Sequence, residues 1–284
     1  GLFSKRNEPY KGIKIHRCIT WPRGNSSTIN LILNYASYVF FASLSILKYK
    51  KNNFDLIFVY EPSPITVCLP AILLKKLKNI PICFWVLDLW PESLLSSQKF
   101  KTSLIPNLMN PLVKYIYKHC DKILVSSNGF INSIVNKSVS REKIIYFPQW
   151  AEKLFVPMNF NPKKQERRLP EGFNILFAGN IGTGQDFDSV LKAAKILKFN
   201  EDIKWSIVGS GSQFKKVEKI IKNNNLGKTV YLLGEHPLDK MPEFYSQADV
   251  MLLSLSKKEI YALTIPAKLQ SYLASGKPIL SMVD

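Results

Sequence analysis

The sequence contains little histidine and no cysteine spacing typical of a metal site. Only three histidines occur in 284 residues, and the four cysteines are spread from Cys18 to Cys120 without a CxxC pair. This pattern argues against the common zinc and iron–sulfur sites, and it predicts buried thiols in a reducing cytosol. We therefore expect no metal ion and no bound cofactor.

Acidic residues are also scarce. The chain has 39 Lys and Arg against 21 Asp and Glu, which gives a net charge of +18. Most of the imbalance lies in residues 1–150, which carry 20 basic and 7 acidic side chains and so a net charge of +13. The positive electrostatic potential of these residues favours an anionic partner, either lipid phosphate or nucleic acid. Scattered lysines also arise through composition alone, so both interpretations stay open.

An apolar run long enough to cross a membrane is missing as well. The best candidate, residues 31–47, falls short of about 20 residues and contains Asn34. It predicts a helix that is buried or lies on a membrane surface. The chain begins with Gly1 and stops directly after the apolar run PILSMV. We expect a fragment cut at both ends. The sequence therefore does not decide whether the protein has a signal peptide.

What the sequence does contain is a regular alternation of β-rich and helical segments. Strand-like runs such as IKIHRC, FDLIFVYE and PICFWVLDLW alternate with segments of helical periodicity, and the alternation restarts at NILFAGN. This predicts parallel sheets with crossover helices. The polar stretch 151–171 suits a linker. We therefore predict an α/β fold with two doubly wound, Rossmann-like domains, residues 1–150 and 172–284, and an interdomain cleft.

The stretch FAGNIGTGQDF places three glycines, Gly179, Gly182 and Gly184, between a strand and a helix predicted over 184–197. Backbone N–H groups at such a junction form an anion site together with the positive end of the helix. The spacing is GxxGxG rather than the GxGxxG of dinucleotide-binding proteins. A phosphate site is therefore predicted and an NAD-dependent dehydrogenase is disfavoured. Glycines that serve packing alone are the alternative.

A second anion site is indicated by LTIPAKLQSYLASGKP, residues 263–278. Thr264 suits an N-cap and Pro266 a first turn, so a helix is predicted over 265–275. Lys268 then lies in the first turn, where the helix dipole disfavours positive charge. A diphosphate bound at that point would explain the lysine; a solvated lysine is the alternative.

Asp186 and Asp188 spell DxD, which holds a divalent metal in some sugar transferases. Both would lie in the first turn of a helix, where carboxylates interact favourably with the dipole. We interpret them as structural and predict no metal there.

In the front half, polar side chains follow two strands where the cleft is expected. They are Tyr60, Glu61, Asp88 and Glu92, in VYEPSP and VLDLWPES. Asp88 interrupts an apolar run, and exposure at the sheet edge is less costly than burial. We expect all four to face the phosphate half. Capping of the following turn is the alternative for Asp88.

Several segments together resemble a known enzyme family. LFAGNIG, IVGSGS, VYLLGE, MPEFYSQADVMLLSLS and IPAKLQSYLASGKPIL are similar to the retaining GT-B glycosyltransferases of family 4. FVYEPSPITVCLPA and FWVLDLWPESL resemble the WbuB-like transferases of bacterial O-antigen and capsule assembly. The resemblance covers nearly the whole chain. It implies a hexosyltransferase whose first domain binds the acceptor and whose second binds a nucleotide sugar.

The resemblance also implies the substrates. The donor would be similar to UDP-N-acetylfucosamine, and the acceptor a saccharide linked to undecaprenyl diphosphate. The protein would be cytoplasmic, in peripheral contact with the inner face of the plasma membrane, without a nucleic-acid partner. Transfer would proceed with retention and without a metal, as preorganised hydrogen-bond donors stabilise the charge of the leaving diphosphate.

Roles for individual residues follow from the same resemblance. Lys268 would act at the diphosphate and Asp88 at the acceptor hydroxyl, with Tyr60, Glu61 and Glu92 on the acceptor side. The residues expected to bind the donor are Gly179, Asn180, Gly182, Thr183, Gln185, Glu235, Thr264, Ile265, Pro266 and Ser271.

The sequence departs from the family's pattern at several of these positions. The family's paired glutamates correspond to Leu263 and Ser271, and its Arg and Lys to Asn180 and Gln185. We expect backbone N–H groups and Lys268 to meet the charge of the diphosphate instead. The family's first glycine loop and its returning C-terminal helix are not found in this sequence, so the fragment is expected to be inactive.

Two other functions fit parts of the pattern. A nucleotide-sugar 2-epimerase shares the architecture, but it needs acid–base carboxylates and histidine around the sugar. A non-catalytic binder of anionic lipid or nucleic acid would use only the positive charge and would have no affinity for UDP.

Overall fold

Two units make up the computed structural model, residues 1–148 and residues 149–284. The structure describes residues 7–24, 27–49, 51–96, 104–161, 166 and 168–283. Each unit is built around its own parallel sheet.

The first unit alternates strands and helices. Its described elements are β1 (Asn7–Tyr10), β2 (Ile13–His16), α1 (Thr28–Ile46), β3 (Ile57–Glu61), α2 (Cys68–Lys78), β4 (Ile82–Val86), α3 (Glu92–Ser96), α4 (Leu104–His119), β5 (Lys122–Val125), α5 (Phe130–Val135) and β6 (Ile144–Tyr146). Strands β3, β4, β5 and β6 lie side by side in that order, and all are parallel. The central strand β4 (ICFWV) is apolar throughout and mostly buried, as expected for a parallel strand inside a sheet.

The segment IKIHRC, predicted as a strand of the parallel sheet, lies outside it. Strand β2 pairs antiparallel with β1 in a separate two-stranded hairpin. The turn explains the difference, because Lys11 and Gly12 have φ angles of 48° and 83° and form a two-residue connection. Two successive positive φ angles are typical of the turns that close tight hairpins.

Helix α1 carries a long apolar surface. Thr28–Tyr49 is long and apolar enough to cross a membrane by length and composition, with a mean hydropathy of 1.5, so the expectation that this segment is too short is wrong. Only 11% of that window is buried. Ile29, Phe40 and Leu47 are more than half exposed. The helix therefore presents apolar side chains to its surroundings along most of its length.

The second unit follows the predicted alternation closely. Its elements are β7 (Phe173–Ala178), α6 (Phe187–Ile196), β8 (Ile203–Val208), α7 (Phe214–Asn223), β9 (Val230–Gly234), α8 (Met241–Gln247), β10 (Val250–Ser254), α9 (Glu259–Ala262), α10 (Ala267–Ala274) and β11 (Ile279–Met282). The strand order is β11-β10-β7-β8-β9, and all strands are parallel. The order reverses between β7 and β10. In doubly wound sheets, ligands bind beyond the carboxyl ends of the strands near this reversal.

Strand β7 is buried on both faces. Alternate residues of it pack in two separate apolar cores, one with α6 and α7 and the other with α8 and α10. The second core also contains Phe155 and Leu169, which belong to the stretch 151–171 that suits a linker by composition. Because these two side chains are buried there, the described part of that stretch packs as part of the second unit.

Candidate functional site

A pocket of about 470 Å³ lies in the second unit at the carboxyl ends of β7, β8 and β9. We call it the strand-end pocket. The loops after these three strands and the beginning of α10 supply most of its lining. Four residues predicted to bind the donor line it, Gly179, Asn180, Glu235 and Ser271, together with Lys268, which was predicted to act at the diphosphate. Three lining residues that sequence reasoning missed are Gly209, Ser210 and His236.

Backbone hydrogen bonds join the loops that form the pocket. Gly179 N–H donates to Val208 O at 2.9 Å, and Gly209 N–H donates to Gly234 O at 2.6 Å. Gly209 has a φ of +135°, and a Cβ on it would lie 1.9 Å from Gly179 O. Only glycine fits there. The GSG that follows the apolar strand IKWSIV is the sequence signal for this contact.

Three N–H groups of the glycine stretch, those of Gly179, Ile181 and Gln185, are already bonded to backbone oxygens. Gly179 N–H is already bonded, so the prediction that it donates to a phosphate is wrong for this amide. A Cβ on Gly182 would lie 2.9 Å from Asn180 Nδ2, and one on Gly184 would lie 3.0 Å from Tyr261 Oη. The ends of the Asn180 and Tyr261 side chains therefore lie close to these two glycines. Donation by the Gly182 and Gly184 N–H groups to a phosphate stays a prediction.

Helix α6 begins at Phe187, three residues later than predicted, and it has its own cap. Asp186 is the N-cap, and its carboxylate accepts the Ser189 N–H at 3.2 Å. Asp188 pairs with Lys216 at 2.8 Å. The structure therefore places both aspartates of DxD in local contacts, and the beginning of α6 is not part of the strand-end pocket.

The beginning of α10 does line the pocket, although its cap differs from the prediction. Pro266 is the N-cap and Ala267 the first helical residue. Thr264 is not a cap, because its hydroxyl donates to Ile260 O at the end of α9. Thr264, Ile265 and Pro266 precede the helix and do not line the pocket, whereas Ala267 and Lys268 do.

Lys268 lies at the second residue of α10 and points into the pocket. Its Nζ donates to Gln185 Oε1 at 2.8 Å and lies 3.9 Å from the centroid of the Phe177 ring. Lys268 forms no ion pair within the described residues. Burial lowers the pKa of this amine to about 7. A bound anion would restore the charged form.

Helix α10 is anchored to β7 by a buried tyrosine. Tyr272 O–H donates to Ala178 O at 3.1 Å and accepts Ala178 N–H at 2.9 Å. Ser271 is buried beside it and donates to Lys268 O at 2.9 Å. These contacts hold the first turn of α10, and with it Lys268, against the end of β7.

Two other residues predicted to bind the sugar donor, Gln185 and Thr183, do not line the pocket but contact residues near it. Gln185 holds the Lys268 amine, and Thr183 O accepts a hydrogen bond from Ser256 Oγ at 3.4 Å. In the loops after β8 and β9, Ser210 Oγ donates to Glu235 Oε2 at 2.8 Å. The pocket lining thus contains the Lys268 amine and an oriented carboxylate.

The four polar residues predicted for the acceptor side lie in different environments. Tyr60 is 55% exposed and its ring meets Trp85 edge-on. Glu61 is fully buried, because successive strand residues point to opposite faces. Glu92 is bonded to Lys137 and Ser133. The expectation that all four face one opening is therefore wrong for Glu61, which is buried, and it stays a prediction for Glu92.

Asp88 follows β4 and lines a cavity of the first unit. Its carboxylate accepts Trp90 Nε1–H at 3.1 Å and is bonded to Ser63 and Ser93. Glu61 Oε2 accepts the backbone N–H of Asp88 at 3.3 Å. Burial raises the pKa of both carboxyl groups. Asp88 therefore both stabilises the turn before Trp90 and lies at a cavity wall.

Among the described residues, no group of three or more His, Cys, Asp or Glu side chains is arranged to hold a metal ion. The buried thiols Cys68 and Cys120 lie 3.9 Å apart, Sγ to Sγ, and neither is in a disulfide. The prediction of no metal stays a prediction.

Known proteins match this chain over different lengths. Residues 159–282 match the family model described as Glycosyl transferases group 1. Over 271 residues the chain is 23% identical to WcaI of Escherichia coli (strain K12), named as a colanic acid biosynthesis glycosyl transferase. That match covers 92% of this chain and 65% of WcaI.

Solved structures share the fold. Sucrose-phosphate synthase from Thermosynechococcus elongatus has a TM-score of 0.74 at 16% identity, covering 98% of this chain and 68% of that one. HepE of Anabaena, in complex with UDP and glucose, has a TM-score of 0.66 at 12% identity, covering 90% and 64%. The predicted α/β fold of the GT-B class is confirmed. The chain spans about two thirds of the length of these proteins.

Proposed function

We propose that this protein, whose residues 159–282 match the group 1 glycosyltransferases, transfers a sugar from a UDP-sugar to a saccharide carried on a lipid. The sugar proposed is an N-acetylated deoxyhexosamine such as N-acetylfucosamine, moved with retention in O-antigen or capsule assembly. WcaI, named for colanic acid biosynthesis, and HepE, solved with UDP, support this class of reaction. The sugar and the acceptor rest on the family resemblance of the first-unit segments.

The observation that carries the proposal is the position of Lys268. Its amine is partly desolvated in a pocket, has no acidic partner in the described chain, and lies at the positive end of α10. A buried ammonium without a counter-charge is unfavourable, and a helix N-terminus attracts anions. Both features favour a ligand with phosphate charge at that place.

In the proposed reaction, the bond between the anomeric carbon and the diphosphate breaks while the acceptor hydroxyl attacks on the same face. The hydroxyl proton passes to an oxygen of the departing diphosphate. Negative charge grows on the diphosphate as the bond breaks. Lys268 and the first N–H groups of α10 stabilise that charge more strongly in the transition state than in the bound donor.

We propose that the transfer needs no metal ion. The usual acidic motif is occupied elsewhere, because Asp186 caps α6 and Asp188 pairs with Lys216. The charge of the diphosphate is then met by Lys268 and the helix end alone. This is a consequence of the residues present and is open to direct test with chelators.

Glu235 is proposed to bind the ribose of the donor. A carboxylate at the end of a strand accepts hydrogen bonds from ribose hydroxyls in many nucleotide sites. Ser210 orients Glu235 from the neighbouring loop. This pair would take over from the family glutamate whose position is occupied by Ser271, which is buried and bonded within its own helix.

The first unit is proposed to hold the acceptor, with Asp88 positioning the hydroxyl that attacks. A peripheral position on the cytoplasmic membrane face belongs to the same proposal. It is supported by the net charge of residues 1–150, with 20 basic against 7 acidic side chains, and by the exposed apolar residues of α1.

A panel of nucleoside diphosphates in a thermal-shift assay tests the donor site. UDP at about 100 times its Kd is expected to raise Tm by roughly 5–10 °C, and GDP, ADP and CDP by less. Lys268→Ala should remove most of this shift. Lys192→Ala, which changes an exposed lysine on α6, is the matched control and should keep it.

Transfer itself is tested with UDP-sugars and a lipid-linked saccharide. Lys268→Ala should lower turnover by about 100-fold or more, as for the loss of other preorganised charge-stabilising groups. EDTA should leave turnover unchanged. Equal stabilisation of the parent by all nucleotides, or unchanged turnover in Lys268→Ala, would remove the lysine and the donor site from the mechanism.

A further inference from the structure

The first unit contains a cavity of about 940 Å³, which we call the apolar chamber. Helices α1, α2, α3 and α4 form its walls, with side chains such as Ile32, Val39, Leu69, Leu94 and Leu112. Small-molecule sites span about 300–1,000 Å³. The chamber is therefore at the upper end of the size that holds a single ligand.

One end of the apolar chamber is polar. Tyr35, Ser63 and Asp88 lie there, and the Ser63 hydroxyl is bonded to both of the others. Tyr35 and Ser63 also line a second cavity of about 430 Å³, which we call the vestibule. Because the two cavities share these residues, the chamber and the vestibule adjoin at a polar junction.

The vestibule contains a cation. Arg23 lines it, with its guanidinium carbon 5.7 Å from the centroid of the Tyr35 ring and its Nε donating to Asn34 Oδ1 at 3.1 Å. Within the ranges that the structure describes, Arg23 makes no ion pair. A guanidinium held in this way is complementary to a phosphate, which it contacts through two N–H groups.

We infer that the apolar chamber and the vestibule together bind one molecule of a single-chain lipid phosphate, with its hydrocarbon chain in the chamber and its phosphate at Arg23. Asp88 sets this direction, since a phosphate placed inside the chamber would face a carboxylate. The inference rests on the proposed function only where it identifies this lipid as part of the acceptor. Binding of the lipid does not depend on sugar transfer.

The lining of the site favours a lipid over a protein partner. Several lining side chains are exposed, among them Ile32 (55%), Phe40 (59%) and Leu108 (79%), so the chamber is an apolar groove that is open along α1 and α4. The groove is apolar over most of its lining, and the guanidinium of Arg23 lies in the adjoining vestibule. An apolar chain with one anionic end matches both features.

The test measures binding of hexyl, decyl and tetradecyl phosphate to this chain by calorimetry, below the concentrations at which they form micelles. Each additional buried methylene should strengthen binding about fourfold until the chamber is filled. Five buried carbons at that increment already amount to about 1,000-fold, so inorganic phosphate alone should bind at least about 1,000-fold more weakly than decyl phosphate. An affinity that does not change with chain length would overturn the inference.

Two exposed side chains provide a matched pair of variants that need not disturb folding. Leu108 lines the chamber and is 79% exposed, whereas Ile29 lies on α1 outside the chamber and is 70% exposed. Leu108→Asp should weaken decyl phosphate binding about tenfold or more, because the new charge must be desolvated against the chain. Ile29→Asp should not. Equal loss in both variants would mean adsorption to apolar surface in general and would contradict the site.

Arg23→Gln tests the anionic end. Decyl phosphate should bind about tenfold more weakly to this variant, while decanol should bind equally to the variant and the parent. The UDP-induced thermal shift is measured in the same proteins. If decyl phosphate does not bind while UDP still raises Tm, the lipid-site inference is contradicted and the proposed donor site is not. Self-association that Leu108→Asp abolishes would show that a second copy covers the chamber instead.

Discussion

At the scale of one residue, Lys268 predicts how nucleotide binding depends on pH. Burial lowers the pKa of its amine to about 7, so the unliganded amine is mostly neutral above that pH. A bound diphosphate favours the charged amine, and binding therefore takes up a proton. The affinity for UDP should fall with rising pH, by up to about tenfold per unit above pH 7. Calorimetry in buffers of different ionisation enthalpy measures both the affinity and the proton uptake.

The control for this prediction is the exposed Lys192. Lys268→Met should bind UDP weakly with no pH slope from this residue, and Lys192→Met should behave as the parent. The unliganded parent should also gain stability with rising pH between about 7 and 10.5, because the unfolded lysine holds its proton over that window and the folded one does not. A parent whose UDP affinity is flat from pH 7 to 9 would contradict a buried amine at the phosphate.

A second prediction at the residue scale concerns Gly209. A Cβ there would lie 1.9 Å from Gly179 O, and the φ of +135° is strained for any L side chain. Gly209→Ala should lower the free energy of unfolding by about 1–3 kcal/mol from backbone strain alone, with further loss from the overlap. Urea denaturation measures this. The matched control is Gly227→Ala, where nothing lies within 4 Å of the added Cβ, and its effect should stay within about 0.5 kcal/mol.

At the scale of the element, α10 depends on one hydroxyl for its position. Tyr272→Phe removes the group that bonds both Ala178 N–H and Ala178 O in a buried place. Two backbone groups are then left without a partner, and the free energy of unfolding should fall by about 1–3 kcal/mol for each group that water does not reach. UDP affinity should also fall, because the first turn of α10 is no longer held against β7.

The control for that variant is Tyr231→Phe. Tyr231 O–H donates to the exposed Lys228 O at 2.9 Å, and water can replace it there. Its loss should cost less than about 1 kcal/mol and leave UDP affinity unchanged. A Tyr272→Phe protein as stable as the parent, with unchanged UDP affinity, would show that the hydroxyl does not position α10.

The elements of the second unit are largely predictable from the sequence, but their exact beginnings are not. Long apolar runs separated by helical periodicity give the order of strands and helices, since both faces of each strand are covered. Helix α6 begins at Phe187 rather than 184, because Asp186 rather than a glycine provides the cap. Thr264 resembles an N-cap for the following helix, yet its hydroxyl donates back to Ile260 O, four residues earlier in the chain. Local patterns alone cannot choose between such neighbouring positions.

Site residues can be predicted where one strand end and one helix contain them. Residues that matter because separate loops meet are harder to predict. Lys268 stands out because its charge opposes the helix dipole. Gly209 and Ser210 do not, since their importance comes from contact with Gly179 and Glu235, which are distant in sequence. Glu61 lies on the face opposite to the predicted one, because a single-residue step along a strand reverses the direction of the side chain.

At the scale of the whole molecule, the uneven distribution of charge predicts electrostatic binding to an anionic membrane. Residues 1–150 carry 20 basic and 7 acidic side chains, and exposed apolar residues of α1 lie in the same unit. We expect binding to anionic vesicles that weakens markedly as salt rises from about 0.1 to 0.5 M, since the Debye length is about 10 Å at 0.1 M and shortens with salt. Cosedimentation with phosphatidylglycerol vesicles measures it, and neutral phosphatidylcholine vesicles should bind little.

The apolar part of the same contact is separable from the charge. Leu44 and Leu47 are exposed near the end of α1, and Ile196 is 78% exposed on α6 in the second unit. Replacing both leucines by Glu removes apolar contact and adds negative charge, so vesicle binding should fall about tenfold or more. Ile196→Glu adds a charge to a more exposed site outside the basic unit and should change binding far less. If Ile196→Glu reduced binding as much as the double variant, net charge alone would explain the attraction and α1 would have no part in it.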